Sequence, residues 1–255
     1  MPKLSVIIPT LNSGRSLAHA IDSLLQQTFG DWELLIMDGG SSDDTIAIAK
    51  RGDDTRIKVH VANDHGIYDA MNHGIQLANG EWLYFLGSDD YLLESDVLEK
   101  MLEGTDNLDM IYGDVEATHL PLEHYGEWTP ETLSYNRCHQ AIFYRRSVFD
   151  RLGLYPLKYP ICADHYINLR LFLNKNFLLQ YRPIIVAHHS TGGASSTTHD
   201  IVFYNDLDRL IVHYGLHSLP KQTLIKHCKA ALSHHCTKPQ RVSLMLLQSW
   251  LHIVS

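Results

Sequence analysis

Short apolar runs and helix-spaced apolar positions alternate from the start of the chain. LSVIIP (4–9) is a β-branched run that reads as a buried strand. After the turn at TLNSG, Leu17, Ile21, Leu24 and Leu25 fall on one helical face. WELLIMD (32–38) is a second strand, and GGSSDDT leads from it into a helix through IAIAK, with acidic residues suited to the first turn. IKVHV (57–61) predicts a third strand. Ile67, Met71, Ile75 and Ala78 then keep helical spacing, with Gly80 placed as a stop just beyond the C-terminus. EWLYFL (81–86) is the fourth strand.

This βαβα order predicts an α/β fold, a mostly parallel sheet flanked by helices. Ligands of such sheets bind beyond the carboxyl ends of the strands. Asp38, Asp64 and the adjacent Asp89 and Asp90 all lie at or just after predicted strand ends, so four acids converge on one edge.

Further on the rhythm loosens. Ser95 is placed to cap a helix through DVLEKMLE, and LDMIYGD (108–114) reads as a strand. HQAIFYRRSVFDRLG (139–153) reads as strand, short helix and Gly stop. Asp164 opens a helix that turns Ile167, Leu171 and Phe172 inward; RPIIVAHH (182–189) is a late strand, followed by a flexible TGGASS. From about Tyr204 the chain reads as a helical extension, broken at SLPK and TKPQ.

Composition narrows the class. The chain has 255 residues, 45% hydrophobic and 20% charged, as ordinary globular proteins do. No stretch approaches the roughly 18–20 unbroken apolar residues of a membrane span. The apolar run near the N-terminus is too short for a signal peptide and reads as the first strand. Four cysteines, Cys138, Cys162, Cys228 and Cys236, form no C-x-x-C pair, which leaves a reducing cytoplasm as the expected setting. The net charge is -8, yet the chain from Leu216 onward holds Lys221, Lys226, Lys229, Lys238 and Arg241 and no acid. An acidic body argues against a nucleic-acid binder, which needs a basic footprint. The basic tail, with apolar Leu244, Leu247, Trp250 and Leu251, has three readings: a peripheral helix on anionic lipid, a homodimer contact, or a helix packed on the core.

A strand-end acidic pair suits Mg2+ or Mn2+, hard cations bound through one or two carboxylates plus substrate phosphates. It equally suits a pair that only caps the following turn, and spacing does not choose between them.

The stretches SVIIPTLNSGRSLAHAIDSLLQQTFGDWELLIMDGGSSDDT, DHGIYDAMNHGI and GEWLYFLGSDD, in that order, resemble the family 2 glycosyltransferases of GT-A fold. The resemblance runs over roughly Leu4 to Ser196. It implies an inverting transfer from a UDP-sugar donor to a glycan or lipid-linked saccharide acceptor, assisted by Mn2+ or Mg2+. It also implies a catalytic domain over 1–203, with a nucleotide-sugar half (1–115) and an acceptor and base half (116–203), and a helical extension over 204–255.

Residue by residue, the resemblance sets Thr10 and Asn12 at the nucleotide pocket, Asp38 on the uracil N–H, and Asp64 beside the base or ribose. Ser88 and Asp89 match the end of the D-x-D motif, with Asp89 as metal ligand and Asp90 its neighbour. Gly87 stands where the family's first acid is usual, and Met71 where an Arg is frequent. Asp164, in ICADHYINLRL, matches the catalytic base; a plain helix N-cap is the competing reading. His139 and Gln140 resemble a sugar- or acceptor-facing stretch, and Trp128 is either an acceptor platform or a core aromatic. His188, with His189, is a candidate for a metal or diphosphate contact. A catalytically silent nucleotide-sugar-binding or partner module is the alternative, which the intact acids oppose. A sugar-phosphate nucleotidyltransferase is a third reading, and TLNSGRS matches its Gly- and Arg/Lys-bearing loop poorly. A cytoplasmic protein, either free or peripheral on the inner membrane face, follows from the enzyme reading.

Overall fold

The computed structural model of the chain describes residues 1–117, 126–190, 198–233 and 238–253. β1 (Leu4–Thr10), β2 (Trp32–Asp38), β3 (Ile57–Val61) and β4 (Trp82–Phe85) alternate with α1 (Leu17–Leu25), α2 (Thr45–Ala49) and α3 (Ile67–Leu77), as the hydrophobic pattern predicts. β5 (Tyr91–Leu92), α4 (Val97–Leu102), β6 (Met110–Ala117), β7 (Ile142–Arg145), α5 (Ser147–Leu152), α6 (Ala163–Phe172) and β8 (Leu179–His189) follow. The eight strands form one sheet in the order β3-β2-β1-β4-β7-β6-β8-β5.

The first four strands pair in parallel, and so do β6 and β8. β7 runs antiparallel to both β4 and β6, and β5 antiparallel to β8, so the far half is mixed. Between β6 and β7 the described residues hold only single 3-10 turns at Pro130–Thr132 and His139–Ala141. Parallel neighbours need a long crossover, usually helical, which these residues do not supply.

The central strands are apolar on both faces. Ile7, Leu35, Met37, Leu83 and Phe85 pack into one core with α3, α5 and α6, while Val6, Ile8, Leu34, Ile36 and Tyr84 pack into another with α1 and α4. Burial on both sides explains why these runs lack polar alternation. Edge strand β3 is only partly buried, so its run is less of a core element than its composition suggests.

Three expectations shift at the level of local packing. Leu25 is exposed and Ile67 as well, and the buried stripe of α3 is Tyr68, Met71, Asn72 and Ile75. Asp96, rather than Ser95, stands at the start of α4, with no side-chain cap bond. Gly80 is not a helix stop: the helix ends at Ala78 in extended geometry. A Cβ on Gly80 would overlap the backbone N of Ser5 and lie 2.7 Å from the carbonyl carbon of Leu4, so this glycine permits close approach to β1.

Glu33 clamps the end of the sheet away from the acidic edge. Its buried carboxylate accepts from the Ser5 hydroxyl, the Lys58 ammonium and the Asn79 amide, each at 2.7 Å. Burial pushes its pKa up, but the bonds from Lys58, Ser5 and Asn79 outweigh that and hold it at about 2.

α7 (Ile201–Gly215), α8 (Lys221–Ser233) and α9 (Lys238–Ile253) complete the fold. Phe203, Leu207 and Ile211 of α7 enter the main core. Leu244 and Leu251 pack against Val212, Leu224 and Cys228, with Leu247 at the margin, so these tail residues are core-packed. Val242, Met245 and Leu246 are exposed. The side chain of Trp250, together with TGGASS and Cys236, lies outside the described residues. No described helix is long and apolar enough to cross a membrane.

Replacing Gly80 by Ala forces β1 and the α3–β4 connection apart. Urea unfolding should show Gly80→Ala destabilised by about 1–3 kcal/mol at an unchanged slope, the range typical of overpacking.

Candidate active site

Parallel register builds the acidic edge. Thr10 at the end of β1 lies opposite Asp38 at the end of β2, and its hydroxyl donates to Asp38 Oδ2 at 3.1 Å. The backbone amides of Gly40 and Ser41 donate to Oδ1 at 3.0 and 2.8 Å, and the Ser41 hydroxyl to Oδ2 at 2.6 Å. Burial pushes the Asp38 carboxyl up, but the bonds from Ser41, Gly40 and Thr10 prevail and hold it below the usual range.

The neighbouring loops are joined in the same way. Asn12 adopts φ +51°, a left-handed conformation Asn tolerates, and its Oδ1 accepts from the Ser42 amide at 2.9 Å. The Ser13 and Ser88 hydroxyls are 2.7 Å apart, which ties the first loop to the segment after β4. Asp64 accepts from the Gly66 amide at 2.9 Å and packs on Gly39, where a Cβ would lie 2.7 Å from its Oδ2. Thr10, Asn12, Asp38, Asp64 and Ser88 thus sit on adjoining loops at the carboxyl ends of the strands.

Asp89 and Asp90 have opposite situations. Asp90 is 2% exposed; its Oδ1 accepts from the Ser190 amide at 2.8 Å, and its Oδ2 accepts from the Gln140 side chain. His189 Nδ1 lies 3.4 Å from Asp90 Oδ1. Burial raises the Asp90 pKa, and the contacts with His189, Ser190 and Gln140 more than offset this, leaving the carboxyl below its ordinary value. Asp89 is solvent-exposed, and no other described residue hydrogen-bonds its carboxylate. Desolvation by the surrounding protein, then the charge of Asp90, pushes its pKa up.

The same fold-back explains Gly87. A Cβ there would overlap Asp90 Oδ2 and lie 2.9 Å from its Cγ. The Asp90 carboxylate therefore takes up the space that the family's first acid would enter.

Asp164 is 3% exposed and lies one residue inside α6, after the N-cap residue Cys162, so it is not itself the cap. Its Oδ1 accepts from the Tyr68 hydroxyl at 2.7 Å and from the His165 amide at 2.8 Å; its Oδ2 accepts from Asn136 Nδ2 at 2.9 Å. His139 Nδ1 stands 3.9 Å from Oδ2. Burial, against the pull of Asp164 and Asp90, lowers the His139 pKa, and its Nε2 is buried without a partner. Asp89, His139, Gln140 and Asp164 line one cavity of about 170 Å³.

Other expected residues lie elsewhere. His188 faces the opposite side of β8 from His189, as adjacent strand residues do, and stacks on Tyr91 at 4.8 Å. Among the cavity-lining residues it is His189 that appears. Trp128 is a core aromatic beside Tyr112 and Phe172, away from the cavity. Met71 is buried in the same core, so no cation reaches the site from that position. Tyr68, Asn136 and Ser190 were not singled out from sequence. A signal existed for Tyr68: with Met71, Asn72 and Ile75 it keeps i, i+3, i+4, i+7 spacing.

Among the described residues no cluster of three or more His, Cys, Asp or Glu side chains forms a ready metal site. The donor set still fits a cation that brings its own phosphate ligands. Asp89 offers an open carboxylate that no other described side chain hydrogen-bonds, and Mg2+ and Mn2+ take one or two carboxylates beside substrate phosphates. Asp90, expected as a second ligand, has its oxygens engaged by Gln140, Ser190 and His189.

The chain belongs to glycosyl transferase family 2, whose sequence model matches residues 5–153. It is 41% identical over 217 residues to a PGL/p-HBAD biosynthesis glycosyltransferase of Mycobacterium bovis, an alignment covering 81% of this chain and 84% of the relative. It is 29% identical over 182 residues to the Escherichia coli UDP-Glc:alpha-D-GlcNAc-diphosphoundecaprenol beta-1,3-glucosyltransferase WfgD, covering 68% and 71% of the two. The fold is similar to that of S. aureus TarS 1-349 in complex with UDP-GlcNAc, with TM-score 0.72 and 21% identity over 95% of this chain and 79% of TarS. The protein is thus a glycosyltransferase of GT-A fold. Asp164 lies beyond the range of the family match, so its assignment rests on the cavity.

Because the folded-state pKa of Asp90 is depressed, its contribution to stability is complete above the unfolded value of about 3.9 and is lost as pH falls through the lower folded value. Asp90→Asn turns an amide NH2 toward the Gln140 or Ser190 donor and should cost about 1–3 kcal/mol at pH 7, with the gap to wild type narrowing toward acid in a pH series of urea unfolding curves.

Proposed function

We propose that the cavity transfers a sugar from a UDP-sugar to a hydroxyl of a glycan or lipid-linked saccharide, with inversion and with Asp164 as general base. The observation that carries this reading is the pairing of two unlike carboxylates in one cavity. Asp164 is buried and held by three donors, and Asp89 is solvent-exposed with no described side chain hydrogen-bonded to its carboxylate. Support for the donor class comes from the UDP-sugars named for WfgD and TarS. Support for a lipid-linked acceptor comes from the diphosphoundecaprenol named for WfgD.

The chemistry balances on these residues. The acceptor oxygen attacks the anomeric carbon from the face opposite the diphosphate, a new C–O bond forms, and the bond to UDP breaks. Asp164 Oδ2, which has one protein donor, takes the hydroxyl proton as the oxygen attacks. Mn2+ or Mg2+ on Asp89 would supply Lewis-acid neutralisation of the leaving diphosphate. Thr10, Asn12, Asp38, Asp64 and Ser88 form the loops that would receive the nucleotide. Asp38 has both oxygens bonded by its own loop, so a uracil N–H would have to share or displace one of those donors. His139 and Gln140 face the cavity from the acceptor half, and the buried, unpartnered His139 Nε2 is a ready partner for a sugar hydroxyl.

A panel of UDP-sugars, with and without Mn2+, tests the reading through UDP release and UDP binding. Asp164→Asn should lose at least about 100-fold in turnover while keeping metal-dependent UDP binding. Asp89→Ala should bind UDP without metal dependence. Normal turnover by Asp164→Asn removes the base, unchanged metal dependence in Asp89→Ala removes the metal role, and UDP binding without transfer of any donor favours the silent module.

A further inference from the structure

We infer that Tyr68 and Asn136 are positioning residues that hold the Asp164 carboxylate in its proton-accepting orientation. The inference rests on Asp164 being the general base, and it adds two residues from outside the motif that carries Asp164.

Each arm is anchored at both ends. Tyr68 lies on the buried stripe of α3, and its hydroxyl is 2.7 Å from Asp164 Oδ1 and 2.8 Å from the carbonyl oxygen of Ile161. One proton faces two acceptors, and the charged one draws it more strongly. The Ile161 carbonyl fixes the rotation of the hydroxyl, so its proton stays aimed along the line between the two acceptors. Asn72, one turn along the same stripe, fixes the helix: its side chain donates to the Tyr155 carbonyl and accepts from the Tyr155 amide, both at 2.9 Å. The helix that carries Tyr68 is therefore pinned to the half of the molecule that carries the base.

The second arm is a chain of amides. Tyr144 of β7 donates to Asn168 Oδ1 at 2.7 Å, Asn168 Nδ2 donates to Asn136 Oδ1 at 3.3 Å, and Asn136 Nδ2 donates to Asp164 Oδ2. The Arg137 amide also donates to Asn136 Oδ1, at 2.9 Å. With its oxygen held twice, the Asn136 amide can present only its NH2 to the carboxylate. Oδ1 then has two donors and Oδ2 one, and the remaining acceptor position of Oδ2 is the one left for a substrate proton.

The other titratable groups that face Asp164 are His139 from the 3-10 turn, Tyr144 from β7, Tyr155, Cys162 and His165 around the start of α6, and Tyr204 from α7. Burial, followed by the charge of Asp164, keeps Tyr68 protonated and therefore a donor.

The test is kinetic. With the UDP-sugar that the enzyme turns over, kcat should fall roughly tenfold or more in Tyr68→Phe and in Asn136→Ala at unchanged donor KM, because the carboxylate loses its orientation while the loops after β1 and β2 are untouched. Asn136 is half-exposed, so Asn136→Ala keeps the test available should Tyr68→Phe fail to fold. Wild-type kcat in a folded variant, or a loss that appears in donor KM instead, overturns the positioning role while Asp164→Asn remains inactive. Normal turnover by Asp164→Asn instead overturns the base reading, and the positioning role with it.

Discussion

The Asp90 carboxylate sits in the interior just past the end of β4, and a charge in that place persists only if every oxygen is met. It is met by segments distant in sequence: the side chain of Gln140 ahead of β7, the Ser190 amide after β8, and the His189 ring. One buried charge thus draws three chain segments to one point at the ligand edge of the sheet. Gly87 is the local consequence, since any side chain there would collide with the carboxylate. Asp89 is the other consequence: with its neighbour turned inward and satisfied, its own carboxylate lines the cavity without a described hydrogen-bond partner. The pair does not share one task. Asp90 shapes the cavity and Asp89 is available to it.

Asp164 lies on the other wall of that cavity, and its environment shows how the parallel and mixed parts of the sheet are registered. α3 follows β3 in the parallel part, yet Tyr68 and Asn72 of its buried face bond to Asp164 and Tyr155, which follow β7 in the chain. A helix that packs against β1 through Ile75 and Met71 also fixes the distance between the loops after β1 and β2 and Asp164. Transfer between two substrates requires that kind of alignment, because small misplacements of reacting groups are costly in rate.

The hydrophobic pattern made β1 to β4 legible almost to the residue, since strands buried on both faces are apolar throughout and end at polar turns. Asp38, Asp64, Asp89 and Asp90 were legible as a group for the same reason: a parallel sheet sends strand ends to one edge. Which of the last two faces the ligand was not legible, because it depends on Gln140 and Ser190, residues 50 and 100 positions further on. The choice between His188 and His189 needed the register of β8, as a shift of one residue exchanges the faces of a strand. Of the predicted stripe of α3, Met71, Ile75 and Ala78 are buried and only Ile67 is exposed, its place in the core being taken by Tyr68, which was missed. A Tyr and an Asn on an otherwise apolar stripe are themselves a sign of buried hydrogen bonds, and here both are engaged across the two halves. Gly80 resembled a helix stop only because its contact with β1 joins segments 75 residues apart.

The division of labour between the two adjacent acids is most directly read from a crystal structure of the protein with UDP and Mn2+, using the anomalous signal of manganese. The ion should lie on the Asp89 carboxylate and the diphosphate oxygens, with Asp90 still bonded to Gln140 and Ser190. An ion ligated by Asp90 with those bonds broken, or a diphosphate bound outside the cavity lined by Asp89 and Asp164, would contradict it.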